Sequence, residues 1–390
     1  MRFAVFHHGD PLSVALWSGI PLNIVRTLQE LGHDVEIIGN LTPRVPLIGR
    51  LKGAFYKRIV KKMYLINRDP AVMTARARSG NRRLKEAGRF DAVLITFPPD
   101  GAYLETDVPI LILHDAAWTQ LVDFYPGAER DTMAVETLRG GIDLDRAALS
   151  RCSHAIYSSQ WAVEGVVRAY GVPRSKLSVA SLGSSIEKPP ERTDVARYLK
   201  SRLRGPMKLF FLGGDWYRKG GDIAVAVAAE VIALGIPVEL HVAGCIPRGT
   251  LPEWVSVHGP LRKDIPEQAA VLRKLFETSD FLIMPTRADA FGMVYGEAAV
   301  FGMPVIASDV GGVPEAVCGE WGTTLPLDTS PRIIAEWAAG LYENRAGYER
   351  LAWLARESYE TRLNWPAYCS RVVQVALECG GARDAASSAA

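Results

Sequence analysis

Two carboxylates in the stretch RADAFGMVYGE, residues 287–297, have the spacing of a ligand-binding turn. Asp289 and Glu297 are separated by seven residues, and the apolar runs FLIMPT and AAVFGMPVIAS flank the stretch. This pattern predicts a buried strand, a turn that holds the aspartate, and a short helix with the glutamate in its second turn. A glutamate there can accept two hydrogen bonds from a ribose diol, while the aspartate can reach sugar hydroxyls. The helix dipole alone also favours acids at such a place, so the pair needs a second signal.

A basic, glycine-rich loop supplies that second signal. In FLGGDWYRKGGD a strand ends at Gly213 and Gly214, and a helix begins near Gly221. Arg218 and Lys219 lie between them, so that free backbone N–H groups and two cations form an anion site suited to a diphosphate. A surface loop with two solvated charges is the alternative. In the acidic stretch, further N–H groups for the phosphates would come from Ala290, Phe291 and Gly292.

The elements around these stretches follow one another as in a parallel α/β protein. Short apolar runs such as RFAVFHH, DAVLITF and PILILHD alternate with helical patterns, a polar stretch interrupts them, and a second series follows from MKLFFLGG to PVIASDV. We therefore expect two doubly wound, Rossmann-like domains facing a cleft, with ligands at the carboxyl ends of the strands. We expect an N-terminal domain at residues 1–185, a linker at 186–206 and a C-terminal domain at 207–364. A C-terminal helix at 365–380 is expected to pack back on the N-terminal domain, and a disordered tail is expected at 381–390.

Bulk composition and charge give no support to several classes of function. The chain has 390 residues and a net charge of +2, which gives no argument for nucleic acid as a partner. Five scattered cysteines fit a reduced cytosol, and neither they nor the histidines show metal-ligand spacing. The first residues run directly into a strand, and no stretch approaches the ~18 apolar residues of a spanning helix. A cytoplasmic protein without a metal or other cofactor is expected.

At this point the two motifs carry a resemblance. RADAFGMVYGEAAVFGMPVIASDVGGVPE resembles the E-x7-E region of the retaining GT-B glycosyltransferases of family 4, and GGDWYRKGGD resembles their diphosphate loop. The resemblance implies GT-B architecture, a nucleotide-diphosphate sugar bound mainly by the C-terminal domain, and an acceptor bound mainly by the N-terminal one. It places Glu297 on the ribose and Lys219 on the diphosphate. In two departures from the family pattern, Asp289 replaces the first glutamate, and Gly214 stands where arginine is frequent, which leaves Arg218 as the second cation.

Three more residues are candidates from their positions. WSGIPLNIVRTLQELGHDV resembles the family's first loop and helix, so Gly19 is expected to approach the donor phosphates, or else to serve only as a turn glycine. LILHDAAW places His114 at a strand end, where the resemblance implies contact with the donor sugar or its transition state. The alternative is a histidine bonded to the adjacent backbone. In VSVHGPL, Gly259 is expected to approach the nucleotide base.

These expectations combine into one reaction. A retaining glycosyltransferase would move a sugar to a glycan or lipid-linked acceptor, in cell-envelope polysaccharide or glycoconjugate synthesis. Its catalytic candidates are His114, Arg218, Lys219 and Asp289. The cations and helix N-termini, rather than magnesium, would neutralise the leaving diphosphate, since the chain shows no paired Asp-x-Asp suited to holding a metal on a diphosphate. A nucleotide-sugar epimerase and a degenerate, nucleotide-sugar-binding scaffold are alternatives. A dehydrogenase would need G-x-G-x-x-G after the first strand, which HHGDPLSVALWSG does not provide.

Residues 44–89 carry a strong local excess of positive charge. The only acids there are Asp69 and Glu86. The cations are Arg44, Arg50, Lys52, Lys57, Arg58, Lys61, Lys62, Arg68, Arg76, Arg78, Arg82, Arg83, Lys85 and Arg89. Apolar residues lie among them at partly helical spacing, which favours contact with an anionic membrane surface on the inner face of the cell membrane. A solvated basic face and a docking groove for an acidic or pyrophosphate-linked acceptor are the alternatives.

Overall fold

The computed structural model describes residues 1–41, 47–319 and 321–388 and divides into two compact units. Unit 1 comprises Met1–Leu182 and Trp365–Ala390, and unit 2 comprises Gly183–Asn364. Both units are built from parallel strands joined by helices, as the alternation of apolar runs and helical patterns predicts. Among the described residues, no helix combines the length and the apolar character needed to cross a bilayer.

In the described part of unit 1, six parallel strands form one sheet in the order β2-β1-β3-β4-β5-β6. The strands are β1 Arg2–Phe6, β2 Asp34–Ile38, β3 Ala92–Ile95, β4 Ile110–His114, β5 His154–Tyr157 and β6 Leu177–Val179. The helices are α1 Ile20–Glu30, α2 Leu47–Phe55, α3 Pro70–Ala87, α4 Trp118–Leu121, α5 Val135–Arg151 and α6 Gln160–Tyr170. Strand β3 is buried at every residue because helices cover both faces of the sheet.

Unit 2 repeats this plan, and its described residues form six parallel strands in the order β12-β11-β10-β7-β8-β9. The strands are β7 Met207–Leu212, β8 Val238–Ala243, β9 Val255–Gly259, β10 Phe281–Met284, β11 Val305–Ser308 and β12 Gly322–Leu325. The helices are α7 Arg192–Ser201, α8 Gly221–Ala233, α9 Pro266–Thr278, α10 Met293–Val300, α11 Val313–Val317, α12 Pro331–Glu343 and α13 Arg345–Thr361.

Each sheet has one point where the chain changes direction across it. In unit 2 the chain runs outward from β7 through β8 and β9, then crosses to β10 on the other side of β7. In unit 1 the corresponding point lies between β1 and β3. Loops that leave two such neighbouring strands diverge and open a crevice at the carboxyl edge of the sheet. These two crevices are therefore the places where each unit can hold a ligand.

Residues 186–206 were expected to form a linker, but about half of this segment is a helix of unit 2. Residues Arg192–Ser201 form helix α7 of unit 2, and its buried face consists of Val195, Tyr198 and Leu199. The segment reads as polar because the opposite face of this amphipathic helix is exposed to solvent. The chain passes from unit 1 to unit 2 after Leu182 and returns to unit 1 after Asn364.

The last helix, α14 Trp365–Ser388, belongs to unit 1. Val372, Val375 and Ala376 are buried, and the Cys369 Sγ lies 3.9 Å from the Ile24 carbonyl oxygen on α1. The tail expected to be disordered from residue 381 is instead helical through Ser388, since extending an existing helix needs no new nucleus and alanine favours it. Residues 389–390 lie outside the described residues.

Candidate functional site

An ion pair spans the crevice of unit 2. Lys219 lies in the loop after β7 and Asp289 in the loop after β10, and these two strands are hydrogen-bonded neighbours. The Lys219 ammonium pairs with the Asp289 carboxylate, and both side chains are nearly buried. The basic loop and the acidic stretch, 70 residues apart in sequence, thus meet at the place where the fold is expected to hold a ligand.

Arg218 fastens the same two loops to each other. Its guanidinium Nη1 donates to the Ala288 carbonyl oxygen at 2.9 Å, and its own carbonyl oxygen accepts from the Arg287 N–H at 2.7 Å. The Thr286 hydroxyl donates to the same carbonyl oxygen at 3.1 Å. Arg218 therefore holds the acidic loop in position next to Asp289, and its role as the second cation stays a prediction.

Two glycines shape the ends of these loops. Gly220, directly before α8, has φ +78°, and a Cβ there would lie 2.0 Å from the Pro285 carbonyl oxygen of the acidic loop. Gly292, directly before α10, has φ +86°, and a Cβ there would lie 2.3 Å from the Tyr295 ring of that helix. Both positions require the left-handed backbone that glycine adopts without penalty. The N-termini of α8 and α10 therefore lie at the two sides of the crevice, where their dipoles favour an anion.

Glu297 lies in the second turn of α10, as predicted, and it is buried. Its carboxylate accepts hydrogen bonds from the Lys263 ammonium and the Ser185 hydroxyl, and the Lys263 ammonium also donates to the Ser185 oxygen. Neither Lys263 nor Ser185 was predicted as a site residue. Lys263 follows β9 by four residues, so the strand-end rule that drew attention to Gly259 could also have identified this lysine.

A second ion pair, between Arg287 and Asp222, stabilises the basic loop. The Arg287 guanidinium donates to both Asp222 carboxylate oxygens, at 2.8 and 2.7 Å, and lies 4.0 Å from the centroid of the Tyr217 ring. The hydrogen bond from Arg287 lowers the pKa of Asp222, and the same bond raises the pKa of Arg287. Sequence reasoning missed this ion pair because Asp222 lies in the first turn of α8 and Arg287 lies 65 residues away in the loop after β10.

The remaining predicted residues of unit 2 lie at strand and helix ends. The Gly213 N–H donates to the Ala243 carbonyl oxygen at 3.0 Å, and the Gly244 N–H donates to that of Gly259 at 2.9 Å. A Cβ on Gly214 would have its nearest neighbour at 4.0 Å, so this position borders open space. Ala290 and Phe291 are buried directly before α10.

A cavity of about 620 Å³ adjoins Glu297 within unit 2. Its lining includes Ser185 and Lys263, the two partners of Glu297. Apolar side chains form the other part of the lining together with charged ones; the apolar residues are Ile186, Pro266, Ala269, Ala270, Leu272 and Phe301, and the charged ones are Glu187, Lys188, Asp264 and Arg273. A hollow of this volume with both apolar and polar lining has the size of a small-molecule site.

In unit 1 the two predicted residues are linked through Trp17. Gly19, directly before α1, has φ +76°. The indole of Trp17 stacks on the His114 ring with centroids 4.9 Å apart and donates to Asp115 at 3.1 Å. The His114 Nδ1 lies 2.9 Å from the Ala116 carbonyl oxygen and 3.2 Å from an Asp115 carboxylate oxygen. The bond to adjacent backbone, which was the structural alternative for His114, is therefore present and fixes the ring.

The crevice of unit 1 holds a polar cluster that the sequence did not identify. His7 and His8 follow β1, and the His8 Nδ1 lies 3.1 Å from the buried Asp100 carboxylate after β3. One ring nitrogen of each histidine and one carboxylate oxygen of Asp100, the atoms that could bind a metal ion, lie within 4.8 Å of one another. The His7 Nδ1 accepts the Gly9 N–H at 2.8 Å, so its neutral ring carries the proton on Nε2 and presents no lone pair there. Burial lowers the pKa of His7 to about 4.

Comparisons with known proteins agree with this architecture. Residues 206–344 match the family model described as "Glycosyl transferases group 1", and residues 22–188 match the model described as "Glycosyltransferase Family 4". Together the two matches cover most of the chain. The motifs at both strand ends of unit 2 lie inside the first match. This chain belongs to the glycosyltransferases of family 4.

Relatives and solved structures extend the comparison. Glycogen synthase of Mycobacterium tuberculosis is 29% identical over 47% of this chain and 46% of that protein, so the chain spans about half the length of this relative. D-inositol 3-phosphate glycosyltransferase of Thermobispora bispora is 22% identical over 92% of this chain and 88% of that protein. Sucrose-phosphate synthase from Thermosynechococcus elongatus superposes with a TM-score of 0.68 at 16% identity, over 98% of this chain and 100% of that one. The structural likeness shows the predicted GT-B fold.

Proposed function

We propose that this protein transfers a sugar from a nucleotide-diphosphate sugar to a glycan or lipid-linked acceptor. The observation that carries the proposal is the Lys219–Asp289 pair at the switch point of unit 2, between the N-termini of α8 and α10. A diphosphate placed there meets one ammonium group and two helix dipoles. Asp289 then turns from the lysine toward the hydroxyls of the donor sugar.

The nucleoside half of the donor is proposed to lie along the start of α10. Glu297 would accept hydrogen bonds from the ribose diol once Lys263 shifts from the carboxylate toward the phosphates. The adjacent cavity of about 620 Å³, with both apolar and charged side chains in its lining, is large enough for a heterocyclic base. The solved structures that resemble this chain include Anabaena HepE in complex with UDP-glucose, with a TM-score of 0.56 at 18% identity over 99% of this chain and 100% of that one. UDP-sugars are therefore the first donors to test.

The proposed reaction is metal-independent and retains the anomeric configuration. The bond from the sugar C1 to the diphosphate oxygen breaks while the bond from C1 to the acceptor oxygen forms on the same face. The leaving diphosphate takes the acceptor proton, and Lys219, Arg218 and the helix N-termini stabilise the charge that remains. Gly19 and His114, with its ring fixed by Trp17 and Ala116, are the proposed contributions of unit 1.

A role in cell-envelope polysaccharide or glycoconjugate synthesis at the cytoplasmic face of a membrane is part of the proposal. The support is the basic segment 44–89 in unit 1, of which Arg44 lies outside the described residues. WaaG, which is named as a glycosyltransferase involved in lipopolysaccharide biosynthesis, has the same fold with a TM-score of 0.62 at 16% identity, over 96% of this chain and 98% of that one.

A thermal-shift screen with UDP-, GDP-, dTDP- and ADP-sugars tests the donor class, because a ligand that binds only the folded state raises the melting temperature. The stabilising donor is then incubated with and without glycan acceptors, and NMR follows the anomeric proton. The proposal expects acceptor-dependent transfer with retained configuration. Acceptor-independent conversion of the donor would instead identify an epimerase, and binding without turnover would identify a scaffold.

A further inference from the structure

An exposed apolar ridge runs along the surface of unit 1. Helix α2 continues into a wider helical turn at Tyr56–Val60, and Leu51, Phe55 and Ile59 follow one another at intervals of four residues. Side chains at this spacing lie on one face of a helix. Their exposed fractions are 61, 52 and 70%, so this face does not pack on the core of the unit. Apolar side chains exposed in a row indicate contact with something other than water.

A cavity lined by lysines lies beside the ridge. Lys57, Lys61 and Lys62 line a hollow of about 470 Å³, which we call the lysine pocket. Lys61 has φ +54°, a left-handed conformation that reverses the chain after the helical turn. The Lys62 N–H consequently donates to the Tyr56 carbonyl oxygen at 3.1 Å. The remaining lining residues are Gly53, Met63 and Tyr64.

The nearby acids do not neutralise this pocket. Asp69 accepts hydrogen bonds from the Tyr64 hydroxyl and from Lys52, and it caps α3, while Glu136 pairs with Lys52 at 3.1 Å. Within the parts of the chain that the structure describes, no acidic oxygen lies within 4.0 Å of the three pocket ammonium groups. Three like charges around one hollow repel each other, and an anion with several oxygens would relieve that repulsion.

We infer that the lysine pocket binds the phosphate of an anionic lipid headgroup while the apolar ridge inserts among the acyl chains. The inference rests on the membrane part of the proposed function and names the residues that make the contact. A soluble phosphate would account for the lysines alone, and it would leave Leu51, Phe55 and Ile59 exposed to water. An amphipathic helix with cations beside its apolar face instead lies in the plane of an anionic membrane.

The test is co-sedimentation with vesicles of phosphatidylcholine alone and of phosphatidylcholine with increasing phosphatidylglycerol, at several salt concentrations. Four proteins are compared: wild type, the pocket variant K57Q/K61Q/K62Q, the ridge variant L51S/F55S/I59S, and a control. The control is R139Q/R146Q/R168Q, which removes the same charge from exposed cations of α5 and α6, outside the basic segment 44–89. Because the altered side chains are exposed or line a surface hollow, circular dichroism should show unchanged folding in all variants.

Wild type should bind only anionic vesicles. The pocket variant should lose on the order of 100-fold in partition coefficient, since each lysine near an anionic surface contributes a factor of about five. Salt screens the lysines but not the apolar ridge, so wild type should keep part of its vesicle binding at raised salt and the ridge variant should lose that part. The partition coefficient of the control should stay within roughly twofold of that of wild type. Equal weakening in the pocket variant and the control would show that net charge alone acts, and would overturn the pocket.

Three further results would also overturn the inference. They are equal pelleting on neutral and anionic vesicles, saturation by inorganic phosphate without any vesicle binding, and binding to polyglutamate in place of vesicles. Donor binding separates this inference from the transferase proposal, because Lys219, Asp289 and Glu297 lie in unit 2 and neither Gly19 nor His114 belongs to the lysine pocket or the ridge. The pocket variant should titrate with the stabilising nucleotide sugar as wild type does. Vesicle binding by a protein that binds no nucleotide sugar would refute the transferase and uphold the pocket.

Discussion

The ammonium group of Lys219 pairs with the carboxylate of Asp289 between the loops that follow β7 and β10. The pair neutralises two charges in a nearly buried place, so neither charge is held there unpaired. In the proposed reaction, an incoming diphosphate would offer the lysine a second anionic partner and release the aspartate for hydroxyl groups. Although Asp289 is one methylene shorter than the glutamate of the family pattern, its carboxylate reaches Lys219 in this chain.

Replacing Lys219 with alanine should reduce turnover by about 10² or more, because the variant lacks the charge aimed at the leaving diphosphate. Steady-state rates with the stabilising donor measure this. Lys274→Ala is the matched control, since Lys274 is an exposed lysine of α9 in the same unit. Comparable losses in the two variants would remove Lys219 from the mechanism.

Glu297→Gln should weaken donor affinity by roughly 1–3 kcal/mol with the fold intact, because the amide replaces one acceptor with a donor. Titration calorimetry measures the change. Glu297→Gln alters both the bond to Lys263 and the proposed bonds to the ribose. Lys263→Met separates these two effects, since it removes the lysine and leaves the Glu297 carboxylate available for the ribose. Unchanged donor affinity in Glu297→Gln would take this residue off the ribose.

Chelation should leave turnover unchanged. The account assigns charge neutralisation to Lys219, Arg218 and the N-termini of α8 and α10, which need no ion. Rates are measured after dialysis against EDTA and again after addition of magnesium. Activity that is lost with EDTA and restored by magnesium would show that a metal carries this role.

Acid should destabilise the protein through His7. Burial lowers its pKa from 6.5 to about 4, so the unfolded chain takes up a proton as the pH falls from 6.5 toward 4 while the folded one does not. Stability is therefore lost in that window, by up to about 3 kcal/mol. His7→Asn keeps an acceptor near Gly9 and removes the titration. Urea unfolding at pH 7.5 and 4.5 should show a smaller loss in the variant than in wild type, and equal losses would contradict the assignment.

The sequence predicts the fold well where local periodicity and buried packing agree. The strands β7 and β10 are apolar runs that end at glycine or at a turn, so their ends and the charged loops after them could be located from the sequence alone. Helix α7 could not be located from the sequence, because Pro189, Pro190 and Pro206 flank a mostly polar segment. Only three of its residues are buried.

The candidate site was predictable in its motifs and not in its contacts. Arg218, Lys219, Asp289 and Glu297 stand out by residue type and by their position after strands. Lys263 and Ser185 reach Glu297 from sequence separations of 34 and 112 residues, which no local pattern encodes. The His7, His8 and Asp100 cluster was missed for the same reason, since the tertiary fold brings the ends of β1 and β3 together.

The central claim, a nucleotide-diphosphate site built on the Lys219–Asp289 pair, is tested most directly by titrating UDP into wild type and Lys219→Ala with a calorimeter. If the thermal screen selects another nucleotide, that diphosphate replaces UDP. The account expects one site per chain in wild type and an affinity at least tenfold weaker in the variant, because a charge-assisted bond to a phosphate oxygen contributes about 1.5–3 kcal/mol. Equal affinities, or no binding of any nucleoside diphosphate to wild type, would contradict it.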